Sequence, residues 1–237
     1  MTPDSRLAVI THPSAGGICV IDLETFERIG NIATGTAPNY AAFSSDGERL
    51  YVSNTGDNNV SEIDVRTWQV TRTLPTGKAP EHVVLSPDDR LLYVNNVADR
   101  SVSAIQLINE STAQTYAVGS DPHAVDLSDD GNTLFATSKT EGRLVAIDLR
   151  TGEMTTKALS PAPYHVTAIR GTGVIYVSSR AEPRIWVVDQ ATLELRDEFA
   201  IPGIGHQMAK RSRGGYIPSA KTHLSESLCG CEAARGA

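Results

Sequence analysis

Four of the six histidines occupy matching places in a repeated pattern, where their imidazoles could act together. His123 and His206 stand one residue after a recurring proline position, whereas His82 and His165 stand two residues after it. Imidazole is the commonest metal ligand and titrates near neutral pH. Converging histidines could therefore bind a transition metal or serve as axial ligands of a haem. Because successive strand residues point to opposite faces, the offset predicts two pairs and not one ring of four.

Three more side chains belong to the same region of the pattern. Tyr40 and Tyr164 stand within two residues of the same proline position, where their hydroxyls could bind a ligand or hydrogen-bond in a seam between repeats. Asp126 is an acid at a place where the other copies carry uncharged residues. A buried carboxylate needs a partner, which His123 or His165 could supply. Asp126 is thus either a paired structural acid or a candidate general base.

The histidines also have a structural interpretation, in which each imidazole bonds the backbone of the neighbouring repeat and fills the seam. The sequence has no Gly-x-Ser-x-Gly elbow, no His-Glu-x-x-His zinc motif and no Cys-x-x-Cys-His haem attachment. Cys229, Cys231 and His223 offer three donors, whereas structural zinc needs four. We therefore predict no catalytic residue, no cofactor and no metal, with a histidine-bound metal or haem as the alternative.

Charge and hydropathy exclude two classes of partner. The formal net charge is −7, and the one basic cluster, at 210–215, is too short for nucleic-acid binding, which requires clustered lysine and arginine. No apolar run is long enough to span a membrane. The first residues lack the basic and apolar segments of a signal peptide.

The elements that must position these side chains form a repeat of 42 residues. The serine or threonine of a polar turn recurs at Thr2, Ser44, Ser86 and Ser128. Each copy holds four short segments rich in β-branched and aromatic residues, separated by turn formers. Four strands per copy are typical of a β-propeller blade, whose faces are buried only against neighbouring blades. The acids at the end of the third strand of a copy are interpreted as hydrogen-bond acceptors for the turn that follows. They are Asp22, Asp64, Asp148 and Asp189.

The pattern begins inside a blade, with strands at 6–12, 17–23 and 27–33, and four complete blades follow. A last inner strand is predicted at 205–211. That strand could close a ring of five blades, which would remove exposed edges. Alternatively, the chain is part of a seven-bladed ring whose open edges could pair in an oligomer. Residues 1–215 are assigned to propeller repeats, and residues 216–237 to an irregular tail.

The segments YVSN, YVNN and YVSS, most of them after a Ser-Pro-Asp-Gly-like turn and a Gly-x-x-Pro, resemble the YVTN-type β-propeller repeat of surface-layer and YncE-like proteins. The resemblance implies an all-β propeller, commonly of seven blades, and suggests a periplasmic or extracellular location. Related propellers hold haem or copper, hydrolyse lactones or serve as interaction platforms. The residues that define the repeat build the scaffold, so they do not indicate which of these functions the chain has.

Strong repetition without a catalytic motif favours a non-catalytic binding protein. Its expected partner is a protein or an envelope glycan, bound through the blade rims and through the loops at Asp57-Asn58 and Asp99-Arg100. The alternatives are a redox site with a metal or haem held by the four histidines at the blade ends, and a lactonase-like hydrolase.

Overall fold

The computed structural model describes residues 1–208, and every regular element in that range is a β-strand. The strands are β1 Leu7–His12, β2 Gly17–Asp22, β3 Arg28–Ala33, β4 Pro38–Phe43, β5 Arg49–Asn54, β6 Asn59–Asp64, β7 Gln69–Pro75, β8 Pro80–Leu85, β9 Leu91–Asn96, β10 Ser101–Gln106, β11 Ser111–Ala117, β12 Pro122–Leu127, β13 Thr133–Ser138, β14 Arg143–Asp148, β15 Met154–Ala158, β16 Pro163–Ala168, β17 Val174–Ser179, β18 Arg184–Asp189 and β19 Leu195–Ala200. Over the same residues, no helix has the length and apolar character needed to cross a membrane.

The strands form antiparallel meanders, each made of strands that follow one another in the chain. The first sheet is β1-β2-β3, and the four-stranded sheets are β4 to β7, β8 to β11, β12 to β15 and β16 to β19. We label the strands of a four-stranded sheet A to D in chain order, so that the first sheet lacks strand A. These are the propeller blades that the 42-residue repeat predicted, and the prediction of an all-β fold is confirmed.

The described residues divide into two compact units, Met1–Leu74 and residues 75–208. The first unit buries Ile18, Leu50 and Ile63 between its sheets. The second unit holds three complete blades, β8 to β19, and Phe135 and Ile175 are fully buried in its core. In these blades the D strands β11, β15 and β19 are mostly exposed, because the inner three strands carry the apolar faces.

In the second unit, a polar residue near the end of each B strand joins its own A strand to the segment that follows at the same phase of the repeat. In the middle blade of the second unit, the Thr137 hydroxyl accepts a hydrogen bond from the Ala124 N–H at 3.2 Å and donates one to the Tyr164 carbonyl at 2.6 Å. The A strand needs this acceptor because its register shifts between Pro122 and Val125, which takes the Ala124 N–H out of the ladder. The equivalent bonds in the blades on either side join Asn95 to His82 and Pro122, and Ser178 to His165 and His206.

The turn acids predicted from the repeat serve as backbone acceptors, and that prediction is confirmed. Asp148 Oδ1 accepts the N–H groups of Arg150 and Thr151 at 2.8 and 2.9 Å. The same arrangement recurs at Asp22, Asp64 and Asp189. Hydrogen bonds from backbone N–H groups stabilise the ionised carboxylate, so the pKa of Asp148 lies below its usual value.

The loops that we expected to face a partner contain acids that hold the fold. Asp99 Oδ2 accepts the Lys78 N–H at 2.7 Å, and Asp57 Oδ2 accepts the Thr36 N–H at 2.7 Å. A side chain at Gly77 would place its Cβ 2.8 Å from Asp99 Oδ2, so glycine is required for this close approach. Deleting either loop would therefore disturb the blade as well as any surface that the loop presents.

The strand predicted at 205–211 is wrong for the part that the structure describes, since residues 205–208 form no strand. A side-chain hydrogen bond from Ser178 Oγ to the His206 carbonyl, at 3.3 Å, holds this segment in place. The run Gly203-Ile204-Gly205 disfavours an extended strand here because glycine loses the most entropy on ordering. Residues 209–211, and the tail assigned to 216–237 with its two cysteines, lie outside the described residues.

Candidate functional site

Four side chains of the second unit meet where its A strands begin. Glu81, His123 and Tyr164 each follow the proline that opens β8, β12 or β16, and His206 stands at the matching place after β19. Because β12 lies between β8 and β16, residues of the same phase become neighbours. We call Glu81, His123, Tyr164 and His206 the rim cluster.

The rim cluster is a continuous series of contacts. Glu81 Oε2 lies 2.9 Å from Nδ1 of His123. The His123 ring stacks on the Tyr164 ring, with centroids 3.5 Å apart and planes 10° from parallel. His206 meets Tyr164 edge to face, with ring centroids 5.2 Å apart. His206 is exposed, whereas Tyr164 has an exposed fraction of 9%.

Two cations flank the tyrosine of the rim cluster. The Arg180 guanidinium lies 5.5 Å from the centre of the Tyr164 ring, and the Lys139 ammonium lies 5.7 Å from it. Both distances fall within the range of cation–π attraction. Lys139 also pairs with Asp121 at 2.5 Å, whereas Arg180 is exposed to solvent. The ring therefore holds two positive charges beside the histidines.

Burial and charge set the protonation of two cluster members. Burial raises the pKa of Tyr164 because the phenolate would lose its hydration, and the Glu81 carboxylate adds to this, against the opposite effect of the two cations. Burial lowers the pKa of His206, and the positive charge of Arg180 lowers it further. At neutral pH the cluster therefore presents a protonated phenol and an uncharged imidazole at position 206.

The contact between Glu81 and His123 gives the imidazole a defined role. A carboxylate beside Nδ1 favours the tautomer that carries its hydrogen on that nitrogen, which leaves Nε2 as the basic nitrogen. A carboxylate at this distance could orient the imidazole as a general base if a hydrogen bond forms between them. The same Nε2 could equally accept a hydrogen bond from a bound ligand.

The other two histidines form a separate, buried pair. His82 and His165 both stand two residues after the opening proline, in β8 and β16, and their Nε2 atoms are 3.2 Å apart. The residue of the same phase in β12 is Ala124, which is fully buried and too small to separate the two rings. The offset in the sequence predicted two pairs, and the structure has His82 with His165 and His123 near His206.

Asp126 is buried at the seam between the last two blades. One carboxylate oxygen accepts the Ala168 N–H at 2.9 Å and lies 3.4 Å from the Thr167 hydroxyl, while the other accepts the Leu127 N–H at 2.9 Å. These donors come from β12 and β16, so the carboxylate links the two A strands. A proton acceptor engaged by several donors is poorly placed to act as a general base.

Tyr40 belongs to the first unit. Its backbone N–H donates to Ser53 Oγ at 3.0 Å, and its carbonyl accepts from the same hydroxyl at 3.3 Å. Its ring is half-buried. Of the predicted site residues, the structure brings His123, Tyr164 and His206 together in the rim cluster and pairs His82 with His165 separately. Asp126 and Tyr40 belong to neither group.

Three residues of the site were not singled out from the sequence. Glu81 occupies the same phase as His123, so alignment of the repeats could have found it. Lys139 and Arg180 share one phase as well, each directly after a B strand. A cation at that place in two successive copies is a detectable signal, although its proximity to Tyr164 depends on how the blades pack.

Within residues 1–208, no group of three or more histidine, cysteine or acidic side chains is arranged to hold a metal ion.

Comparison with known proteins decides the family. Residues 7–173 match the family model described as "Lactonase, 7-bladed beta-propeller". The chain belongs to this family. The resemblance to YncE-like propellers is confirmed by a shorter match, in which 51 residues, or 22% of the chain, are 43% identical to the uncharacterized protein YncE of Salmonella typhi and to that of Salmonella typhimurium. This match covers only 14% of each relative.

Among solved structures, a chain of the hydrazine synthase of Kuenenia stuttgartiensis is similar with a TM-score of 0.55 at 17% identity. The similarity covers 80% of this chain and 75% of that one. At this identity it bears on the fold alone. Membership of the seven-bladed lactonase family therefore rests on the sequence match. The residues of the rim cluster are the basis for any functional proposal.

Proposed function

We propose that this member of the lactonase propeller family is a binding protein that captures a carboxylate-bearing partner, an envelope glycan or an acidic protein segment, at the rim cluster. The observation that carries the proposal is the placement of Arg180 and Lys139 over one tyrosine ring. The chain as a whole has a net charge of −7 and Lys139 is paired with Asp121, so the exposed guanidinium of Arg180 is the cation on which the proposal rests.

The geometry favours carboxylate as the recognised group. An exposed guanidinium offers a planar fork of N–H donors that fits a carboxylate in a bidentate way. Contact with the Tyr164 ring fixes the Arg180 side chain and so reduces the entropy lost on binding. The exposed imidazole of His206 lies beside the same ring and adds a neutral hydrogen-bonding group.

Calorimetric titration tests the proposal. A uronic-acid oligosaccharide and an acidic peptide are each compared with a neutral counterpart, and we expect binding of an acidic ligand that weakens as salt rises. Arg180→Gln should weaken it by about tenfold or more, since hydrogen bonds to charged groups contribute 1.5–3 kcal/mol. Arg150→Gln is the matched control because Arg150 is exposed and lies in a C–D turn. An equal loss of affinity in Arg180→Gln and Arg150→Gln contradicts the proposal, as does equal binding of acidic and neutral ligands.

A second function, lactone hydrolysis, is favoured by the contact between Glu81 and His123. In this proposal His123 Nε2 takes a proton from water as the water oxygen bonds to the lactone carbonyl carbon. The ring C–O bond then breaks, and the imidazolium returns the proton to the leaving alkoxide, which yields a hydroxy acid. Arg180 would stabilise the negative charge on the carbonyl oxygen.

Hydrolysis is measured by titrating the acid released from five- and six-membered sugar lactones. If the dyad is catalytic, His123→Gln abolishes the enzymatic rate, whereas His12→Gln, in β1, leaves it unchanged. A parent rate equal to that of His123→Gln excludes this second function and leaves binding as the role of the rim cluster.

A further inference from the structure

The turn between β10 and β11 departs from the turns at the same place in the other copies of the repeat. Asn109 lies in this turn, and Ser111 opens β11. At the phase of Asn109 the other copies all carry threonine, as Thr25, Thr67, Thr151 and Thr192. At the phase of Ser111 they carry glutamate or glutamine, as Glu27, Gln69, Glu153 and Glu194. The scaffold therefore requires neither asparagine nor serine at these two places.

The two departures together create the sequence Asn109-Glu110-Ser111. Asparagine, any residue except proline and then serine form an acceptor sequon for N-glycosylation, which attaches a sugar chain to surface loops of secreted proteins. Asn109 and Ser111 are both exposed, and the turn joins the two outer strands of its blade. The sequon thus lies where a transferase could reach it.

The side chains of the sequon form an Asx turn. Asn109 Oδ1 accepts the Ser111 N–H at 3.2 Å and the Ser111 hydroxyl at 2.7 Å. Two hydrogen bonds to the amide oxygen polarise the amide and make its N–H groups more acidic. Asn109 Nδ2 donates one hydrogen to Gln106 Oε1 at 3.0 Å in an exposed contact, and the amide nitrogen carries a second hydrogen.

The chain has one other sequon, Asn59-Val60-Ser61, and the fold makes that one inaccessible. It lies in β6, where Val60 and Ser61 are fully buried. Asn59 Oδ1 accepts Asn54 Nδ2 at 2.7 Å, and Ser61 Oγ donates to the Thr34 carbonyl at 3.2 Å. A transferase would have to open the blade to reach Asn59, so the folded chain offers only the sequon at 109.

The residue before Asn109 adds an independent observation. Ile108 has an exposed fraction of 93%, the highest of the large apolar side chains in residues 1–208. The other copies carry mostly charged residues at this phase, and these are Glu24, Arg66, Arg150 and Ala191. A sugar chain on the adjacent asparagine would shield this apolar side chain from water, which is favourable.

We propose that Asn109 is an N-glycosylation site, which receives an oligosaccharide from a lipid pyrophosphate donor through an oligosaccharyltransferase. A bond forms between Asn109 Nδ2 and the anomeric carbon of the first sugar, and the bond from that carbon to the pyrophosphate oxygen breaks. The lipid pyrophosphate leaves with the electron pair, and the amide proton passes to a base of the transferase. The proposal does not depend on the function of the rim cluster.

The test uses the chain isolated from the cells that produce it. The intact mass reports any added sugar, and fragmentation of the peptides by mass spectrometry locates it. We expect a sugar chain on the peptide that contains Asn109 and none on the peptide that contains Asn59. An unmodified Asn109 overturns the proposal, as does a sugar attached at Asn59 alone.

Two variants made in the same cells separate recognition of the sequon from folding. Asn109→Thr restores the threonine of the other copies, where the Thr151 hydroxyl accepts the Glu153 N–H at 3.2 Å. This variant should keep the turn and lose the added mass completely. Ser111→Ala keeps the asparagine and removes the hydroxyl of the sequon, so it should lose the sugar as well. Added mass that persists in either variant contradicts attachment at this sequon.

Discussion

Replacing Thr137 by valine should destabilise the second unit more than its small change in shape suggests. The hydroxyl is fully buried, accepts the Ala124 N–H and donates to the Tyr164 carbonyl. Valine has nearly the same volume but leaves both backbone groups without this partner. A buried polar group that loses its partner costs about 1–3 kcal/mol, and two groups are affected, so we expect Thr137→Val to lower the free energy of unfolding by about 2–6 kcal/mol.

Serine at the same position provides the matched control. Thr137→Ser keeps the hydroxyl and removes one methyl group, which should cost about 1 kcal/mol of transfer free energy. Both variants are compared with the parent by urea denaturation with linear extrapolation, and an unchanged slope shows that the same surface is exposed on unfolding. If Thr137→Val is no less stable than Thr137→Ser, the hydroxyl does not join the blades as described.

Three further predictions concern the seam, a loop and a turn. Asp126→Asn should lower the unfolding free energy by about 1–3 kcal/mol, because an amide group replaces one acceptor oxygen that faces backbone donors; unchanged stability in urea would contradict this. Gly77→Ala should destabilise the fold more than Gly30→Ala, because a Cβ at 77 would lie 2.8 Å from the Asp99 carboxylate, whereas the nearest atom to one at 30 is 3.8 Å away; equal melting temperatures would refute the close approach. Hydrogen bonds from Ser128 and Asn132 lower the pKa of Asp130 to about 2. The ionised carboxylate therefore stabilises the fold fully above the unfolded pKa near 4, and this stabilisation is lost as the pH falls towards 2. Asp130→Ala should reduce the change in melting temperature between pH 4 and pH 2, and the same change as in the parent would contradict this.

The repeat allowed most of the fold to be predicted from the sequence, because each blade restates the same signals. The B and C strands predicted at 6–12 and 17–23 lie within a residue of β1 and β2, and the turn acids make the expected hydrogen bonds. The failure at 205–211 has a local cause, since the phase of the repeat continues there while glycine at 203 and 205 weakens the strand. A segment at the right position in the 42-residue repeat therefore does not always form a paired strand.

The candidate site was only partly predictable. The one-residue offset of the histidines correctly separated His82 and His165 from the other two, because side chains alternate along a strand. The distance between them could not be predicted, since it depends on the small side chain of Ala124 in the intervening strand. The cations over Tyr164 were missed because they lie in the turns that follow B strands, and their proximity to the ring depends on how the blades pack.

The hydrogen bonds made by Thr137, Asn95 and Ser178 also bear on how this surface can change. Each of these residues accepts a backbone N–H of its own A strand and donates to a backbone carbonyl of the next segment at the same phase, and none of the bonds involves a side chain presented at the rim. The scaffold therefore tolerates a glutamate, a histidine or a tyrosine at the same phase of successive blades. Substitution at these positions can therefore change the charge and shape of the rim surface while the blades keep their attachment, so the chemistry of this surface and the stability of the fold can vary separately.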